Sequence, residues 1–250
     1  MRLLLEAEHL VKHFGGVMAV NGVTLRLEAG EIRGVIGPNG SGKTTLVNLL
    51  SGFYGLDSGR IRFNGTAIET LRPDQRLALG LMRTFQIPKL FDDMTVYENL
   101  LVPALSDSQI GRRSSRDIQD RAEQALLFSK LLPVRRHLAK EISGGQKMLL
   151  QIMRGFMVAD LQLYIMDEPF TGINPALKDI IIEAIFTMNQ EYGTTFLLIS
   201  HEMPTIRRMC RTISVMHMGA LIAEGPMAAV ANNPEVIEAY LGGTNVFADD

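Results

Sequence analysis

Eight consecutive residues, Gly37-Pro38-Asn39-Gly40-Ser41-Gly42-Lys43-Thr44, match the pattern G-x-x-x-x-G-K-[ST] in full. These residue types at this spacing suit the grip of a polyphosphate. Glycines let the backbone bend until successive N–H groups converge on phosphate oxygens, and a helix starting there adds positive potential. Lys43 is expected to reach the outer phosphates and Thr44 to set its hydroxyl on Mg²⁺. Gly37, Asn39, Gly40, Ser41, Gly42 and Thr45 complete the expected nucleotide-binding stretch. The bland alternative is a glycine-rich turn before an ordinary helix. The compact apolar run before the motif and the helical pattern after it weigh against that.

A second cluster lies where the apolar run Leu163-Tyr164-Ile165-Met166 ends in Asp167-Glu168. Strands buried on both faces of a parallel sheet are continuously apolar, and ligands gather at the carboxyl ends of such strands. Neighbouring side chains on a strand point to opposite faces, so the two carboxylates can do different work. Asp167 is the expected Mg²⁺ partner, and Glu168 the general base or the residue that positions attacking water. A third feature is Ser143-Gly144-Gly145-Gln146. It combines a capping box with two glycines that leave N–H groups accessible at a helix start. Alone, it would be a helix start and nothing more.

The elements that must position these groups follow from periodicity. Early in the chain Leu3–His9, Val17–Val20, Val23–Leu27 and Ile32–Ile36 have strand character, and Arg60–Phe63 and Thr66–Ile68 flank the hairpin dipeptide Asn64-Gly65. Gly42–Phe53 carries Leu46, Leu49, Leu50 and Phe53 on one helical face. From about Leu90 to Gln151 the pattern turns helical, over Thr95–Val102 and Asp117–Leu132. The Gly111–Arg116 stretch between them is expected as a solvated polar loop, and Pro133 is expected to end the second helix. Then α/β texture returns: strands at Leu163–Met166 and Phe196–Ile199 around a crossover helix Ala176–Gln190, and a hairpin from Ile213–Met218 and Leu221–Glu224. Asn233-Pro234-Glu235 is a helix start. The expected fold class is α/β: a mostly parallel core with flanking helices, an antiparallel β layer and a helical insert. In domain terms, 1–89 and 152–250 form the core and 90–151 the insert of one nucleotide-binding domain.

Composition narrows the setting. In 250 residues, 25 basic and 27 acidic side chains leave a net charge of −2, which aims no strong field at nucleic acid or an anionic membrane. Cys210 is the only cysteine, which excludes an internal disulfide and fits a reducing compartment. Met1–Leu5 starts like a secretory signal, but Glu6, Glu8 and His9 interrupt the apolar run. No stretch approaches the roughly 18 uninterrupted apolar residues of a membrane span. The chain is therefore expected to be cytosolic, held at any membrane by a partner.

The three clusters, taken in chain order, resemble ATP-binding-cassette proteins. Ile142-Ser143-Gly144-Gly145-Gln146 is similar to their signature loop, which usually begins with Leu, and it precedes Asp167 as in that family. The resemblance implies roles for three further residues. Gln86, in Arg83-Thr84-Phe85-Gln86, matches the glutamine that reaches metal and water and senses the membrane partner. His201, in Ile199-Ser200-His201-Glu202, matches the switch histidine on the γ-phosphate, and Phe14 the aromatic that stacks on adenine. It also implies ATP and Mg²⁺ as ligands, and a sandwich dimer with itself or a similar subunit. Ser143, Gly144, Gly145 and Gln146 then serve the partner's nucleotide.

The match narrows to the ATPases of branched-chain (hydrophobic) amino-acid importers. It does so through Phe14-Gly15-Gly16-Val17-Met18-Ala19-Val20, Met94-Thr95-Val96-Tyr97-Glu98-Asn99 and Gly172-Ile173-Asn174-Pro175. That implies permease subunits, an indirectly coupled substrate-binding protein and a peripheral place on the cytoplasmic face of the inner membrane. Two other readings stay open: a soluble cassette ATPase, and a nucleotide-binding regulator without turnover.

Overall fold

Two twelve-residue strands, β1 (Leu3–Phe14) and β2 (Val17–Glu28), open the chain and pair antiparallel. They are longer than the sequence pattern indicates. Register shifts between Ala7 and Leu10, with His9 at φ +50°, let the ladder continue through a break in alternation. The computed structural model describes residues 2–106 and 111–241. Met1 of the signal-like start, positions 107–110 of the expected insert and the tail from 242 lie outside the described residues.

β3 (Ile32–Ile36), α1 (Lys43–Leu50), β4 (Ser58–Phe63) and β5 (Thr66–Ala67) follow, then α2 (Pro73–Ala78) and β6 (Leu81–Arg83). Asn64 and Gly65 have φ of 50° and 76°, the positive pair that a type I′ hairpin needs. The helices α3 (Val96–Leu101), α4 (Ser115–Phe128) and α5 (Gly144–Met153) lead into a 3-10 turn at Arg154–Met157. Next come β7 (Leu163–Asp167), α6 (Pro175–Tyr192), β8 (Thr195–Ile199) and α7 (Met203–Met209). The described chain closes with β9 (Thr212–His217), β10 (Ala220–Gly225), α8 (Met227–Ala231) and α9 (Pro234–Leu241).

Two sheets result. One is antiparallel, ordered β2-β1-β4-β5. The other is ordered β10-β9-β3-β8-β7-β6 and is parallel except for β10. The period of two along its central strands divides the core. Tyr164, Met166, Phe196 and Leu198 join the helices on one face, while Leu163, Ile165, Leu197 and Ile199 join α1 and the antiparallel sheet on the other. A one-residue slip would exchange the two sets and carry the bulky Tyr164 and Phe196 to the other face. Phe196 is fully buried, so Phe196→Ala should lower unfolding free energy by about 3–5 kcal/mol in a denaturant titration. A loss below about 1 kcal/mol would contradict this placement.

Two expectations need correction. α4 ends at Phe128, before Leu132 and without help from Pro133. Lys130, at φ +57°, stands where a glycine is usual, and the N–H groups of Leu131 and Lys130 donate to Leu126 O and Leu127 O at 2.9 and 3.1 Å. That is a Schellman closure, hidden in sequence by the lysine. The arginines before α4 are not simply solvated either. Arg112 donates to Ala78 O (3.0 Å), and Arg113 to Met157 O (2.9 Å) and Val158 O (3.2 Å). Arg112 satisfies the last carbonyl of α2, and Arg113 satisfies carbonyls that the end of the 3-10 turn leaves open.

Among the described residues no helix is long and apolar enough to cross a membrane. Cys210 follows α7 with 6% exposure, and burial pushes its thiol up to about 12. Thiolate is the reactive form, so a thiol reagent at neutral pH should label Cys210 only after denaturation. Rapid labelling of the folded protein would overturn that assignment.

Candidate nucleotide site

The Gly37–Thr45 stretch, Asp167, Glu168 and His201 gather at the carboxyl edge of the parallel sheet, where β3, β7 and β8 end. β3 runs into the glycine-rich bend. There Gly37, at φ +152°, has no room for a side chain: a Cβ would lie 2.2 Å from Met216 O. Gly42, at φ +101°, caps α1, and its Cβ would lie 2.3 Å from Ala19 O. Only glycine permits this close backbone approach. The bend therefore delivers the N-terminus of α1 to the sheet edge. Lys43 is buried, and its ammonium donates to Gly37 O (2.7 Å) and Pro38 O (2.9 Å), with Ser41 Oγ at 3.5 Å. Burial lowers its pKa, and Glu168 and Asp167 oppose the shift. Asn39, Gly40 and Thr44 are exposed along the same bend, while Ser41 is buried and Gly42 and Thr45 half-buried.

At the end of β7 the two carboxylates diverge as the strand geometry requires. Asp167 is 2% exposed; its Oδ2 accepts from Arg83 NH2 at 3.3 Å, and its Oδ1 is buried without a hydrogen-bond partner. Burial raises its pKa, Arg83 and Lys43 lower it, and Glu168 raises it further. Glu168 adopts φ +52°, a left-handed conformation that costs a non-glycine residue of order 1 kcal/mol. Its N–H donates to Ile199 O (2.9 Å), which ties it to β8, and Thr171 Oγ1 donates to its Oε2 (3.2 Å). His201, just past β8 and largely exposed, places Nδ1 3.0 Å from the same Oε2. The strained backbone aims Glu168 at His201.

The other expected residues lie on the loop after β6, at the end of β1 and at the start of α5. Gln86 is exposed on the loop after β6. Phe14 ends β1, edge-on to Tyr54 at 5.3 Å between centroids, with the Lys12 ammonium 5.6 Å above its ring. Ser143 caps α5 through the expected box: its Oγ accepts from Gln146 N at 3.3 Å, and its N–H donates to Gln146 Oε1 at 2.9 Å. Gly144 is exposed, and Gly145 faces Leu177 of α6, where a Cβ would meet Cδ1 at 2.7 Å. Among the described residues no hydrogen bond or ion pair joins Ser143–Gln146 to the Gly37–Thr45 stretch.

Residues 20–171 match the ABC transporter family. The chain belongs to that family. This cassette carries a second match at 220–244, to the branched-chain amino acid ATP-binding cassette transporter family. It is similar to a probable branched-chain amino acid transport ATP-binding protein LivG of Archaeoglobus fulgidus, 40% identical, over 96% of this chain and 95% of that one. The high-affinity branched-chain amino acid transport ATP-binding protein BraF of Pseudomonas aeruginosa is 36% identical, over 96% and 98%. A crystal structure of the ADP conformation of an ABC transporter cassette superposes with a TM-score of 0.84 at 33% identity, over 97% and 100% of the two chains. The fold is that of the P-loop NTPases, and the cassette is an ATP-hydrolysing subunit whose turnover is coupled to transport.

The cassette also holds site-supporting residues that no sequence motif marks. Gln151 of α5, 3% exposed, brackets the Gln86 loop: its Oε1 accepts from Phe85 N (3.3 Å) and Lys89 N (3.1 Å), and its Nε2 donates to Phe85 O (2.9 Å). Arg154 donates to Lys89 O (2.8 Å) and, through Nε, to Asn99 O (2.9 Å). The signal was present as two polar residues three apart inside the apolar run Met148–Phe156. The helix that carries the signature glycines therefore grips the loop that carries Gln86.

Proposed function

We propose that this cassette powers ATP-driven import of branched-chain or other hydrophobic amino acids. It would work in a pair, with itself or a second cassette, beneath permease subunits on the cytoplasmic face of the membrane and fed by a substrate-binding protein. The observation that carries the chemistry is the meeting of Lys43, Asp167 and the Glu168–His201 contact (3.0 Å) at one sheet edge. The full-length likeness to LivG and BraF supports the substrate class.

Lys43 and the N–H groups of the glycine bend hold the β- and γ-phosphates, and Phe14 stacks on the adenine. Mg²⁺ fits the residues present: the unpartnered, buried Asp167 Oδ1 is an acceptor awaiting a cation or its water. Thr44 and Asp167, with Gln86, would hold the ion, which when bound neutralises charge on the phosphate oxygens. Among the described residues no cluster of three or more His, Cys, Asp or Glu could hold a metal. That suits an ion shared between few protein groups and the substrate's phosphates.

Glu168 accepts the proton of the attacking water or orients it, and phosphoryl transfer needs little more than positioning and charge. His201 can donate from Nε2 to the γ-phosphate while Nδ1 donates to Glu168 only if the ring carries both protons. Ser143, Gly144 and Gly145 stand apart from the bend within their own chain, so they are free to close on a partner's γ-phosphate. ATP then bridges the halves and hydrolysis releases them. Deleting this cassette should abolish uptake of labelled leucine, isoleucine and valine into whole cells, with restoration by the wild-type chain. Normal uptake of all three, with loss of an unrelated solute, would refute the substrate assignment.

A further inference from the structure

Arg83 is the residue around which the metal side of the site is built, although its position at the end of a three-residue strand gives no hint of this. Its guanidinium is buried and reaches in three directions. One arm donates to Asp167 Oδ2 (3.3 Å). A second reaches Asn48 Oδ1 (2.5 Å) and Ser51 Oγ (3.3 Å), which places it on the helix that begins with Lys43. The third, Nε, donates to Thr84 O (3.0 Å). The plane stacks near Phe85, with its carbon 4.5 Å from the ring centroid, and lies 5.4 Å from Phe53, whose ring meets Phe85 edge-on at 5.2 Å. Thr84 completes the clamp: its N–H donates to Ile165 O (2.9 Å), and its Oγ1 accepts from Asp167 N (3.2 Å).

We propose that Arg83 is a positioning residue for Asp167: it engages Oδ2 so that Oδ1 alone is presented to Mg²⁺, and it anchors that choice to α1 and to the loop of Gln86. The two oxygens of a carboxylate are chemically equivalent, and the terminal torsion of aspartate is broad and twofold. Something must therefore choose between them. Here the choice is visible, because one oxygen is taken by a cation and the other is buried without a partner. A guanidinium can do this and an ammonium cannot, because only a planar fork reaches several acceptors in fixed directions while stacking on a ring. The inference rests on Asp167 being the metal's partner, as proposed above.

The test is the affinity of the full chain for a fluorescent ATP analogue, measured with excess Mg²⁺ and again in EDTA. The ratio of the two dissociation constants is the gain due to metal. Arg83→Met should cut that gain by about tenfold while leaving affinity in EDTA within about twofold. Arg83→Lys, which keeps the charge and loses the fork, should lose most of the same gain. In an Asp167→Asn background, adding Arg83→Met should change the gain by less than about twofold, because Arg83 acts through Asp167. A full gain in Arg83→Met, equal losses with and without Mg²⁺, or effects that add to those of Asp167→Asn would overturn the proposal. Should Arg83→Met fail to fold, as removal of one partner of a buried pair can cause, Arg83→Lys and the neutral double variant carry the same comparison. Asp167→Asn alone distinguishes the two levels: if it keeps the full gain, the metal assignment falls and this inference with it.

Discussion

Glu168→Gln is expected to retain ATP affinity within about twofold of wild type and to lose about 10³-fold in hydrolysis. The amide keeps the shape of the carboxylate and can still accept from Thr171 Oγ1, so the φ +52° backbone and its tie to Ile199 O should survive. What is lost is the charge that draws a proton from water and pairs with His201 at 3.0 Å. Binding rests on other groups, Lys43 and the bend. The variant should therefore accumulate with ATP between two cassettes. Light scattering should show a dimer with ATP that disperses with ADP, and phosphate release should fall to near background. Turnover within tenfold of wild type would remove Glu168 from the role assigned to it.

Lys43→Ala should weaken ATP binding by about 10–100-fold, the equivalent of one or two charge-assisted hydrogen bonds in a partly dry site. The two positions separate the functions: Lys43 sets affinity, and Glu168 sets turnover at saturating ATP. Lys43 also donates to Gly37 O and Pro38 O, so the thermal midpoint must be recorded beside the affinity. A variant that melts as wild type does and binds ATP with unchanged affinity would contradict the assignment of the bend.

How far the sequence discloses this site depends on the range of the interactions. The Gly37–Thr44 bend, the Asp167-Glu168 pair and the Ser143–Gln146 box are contiguous, and each is recognisable because its chemistry needs neighbouring residues. That Leu163–Met166 and Phe196–Ile199 are strands buried on both faces likewise follows from continuous apolar runs, whereas which residue faces which layer does not, because such runs show no alternation. Gln86, His201 and Phe14 are legible only through resemblance, since a loop glutamine, a strand-end histidine and an aromatic that could equally be core carry no local signal. The roles of Arg83, Gln151 and Arg154 are not legible in the sequence, because their partners are far away in the chain, as with Arg83 and Asp167 or Arg154 and Lys89. β6 is hidden for a simpler reason: Leu81–Arg83 is too short to display a period. The roles of Arg112 and Arg113 are not legible in the sequence, because the open carbonyls they satisfy, at Ala78 and at residues 157 and 158, are a tertiary feature.

The role of the glycine bend as the seat of a nucleotide is tested most directly by calorimetric titration of the wild-type chain with ATP, with and without magnesium. One ATP per cassette, tighter with the metal than without it, is the outcome this geometry requires. Heats indistinguishable from dilution in both conditions, with or without the membrane subunits, would contradict it.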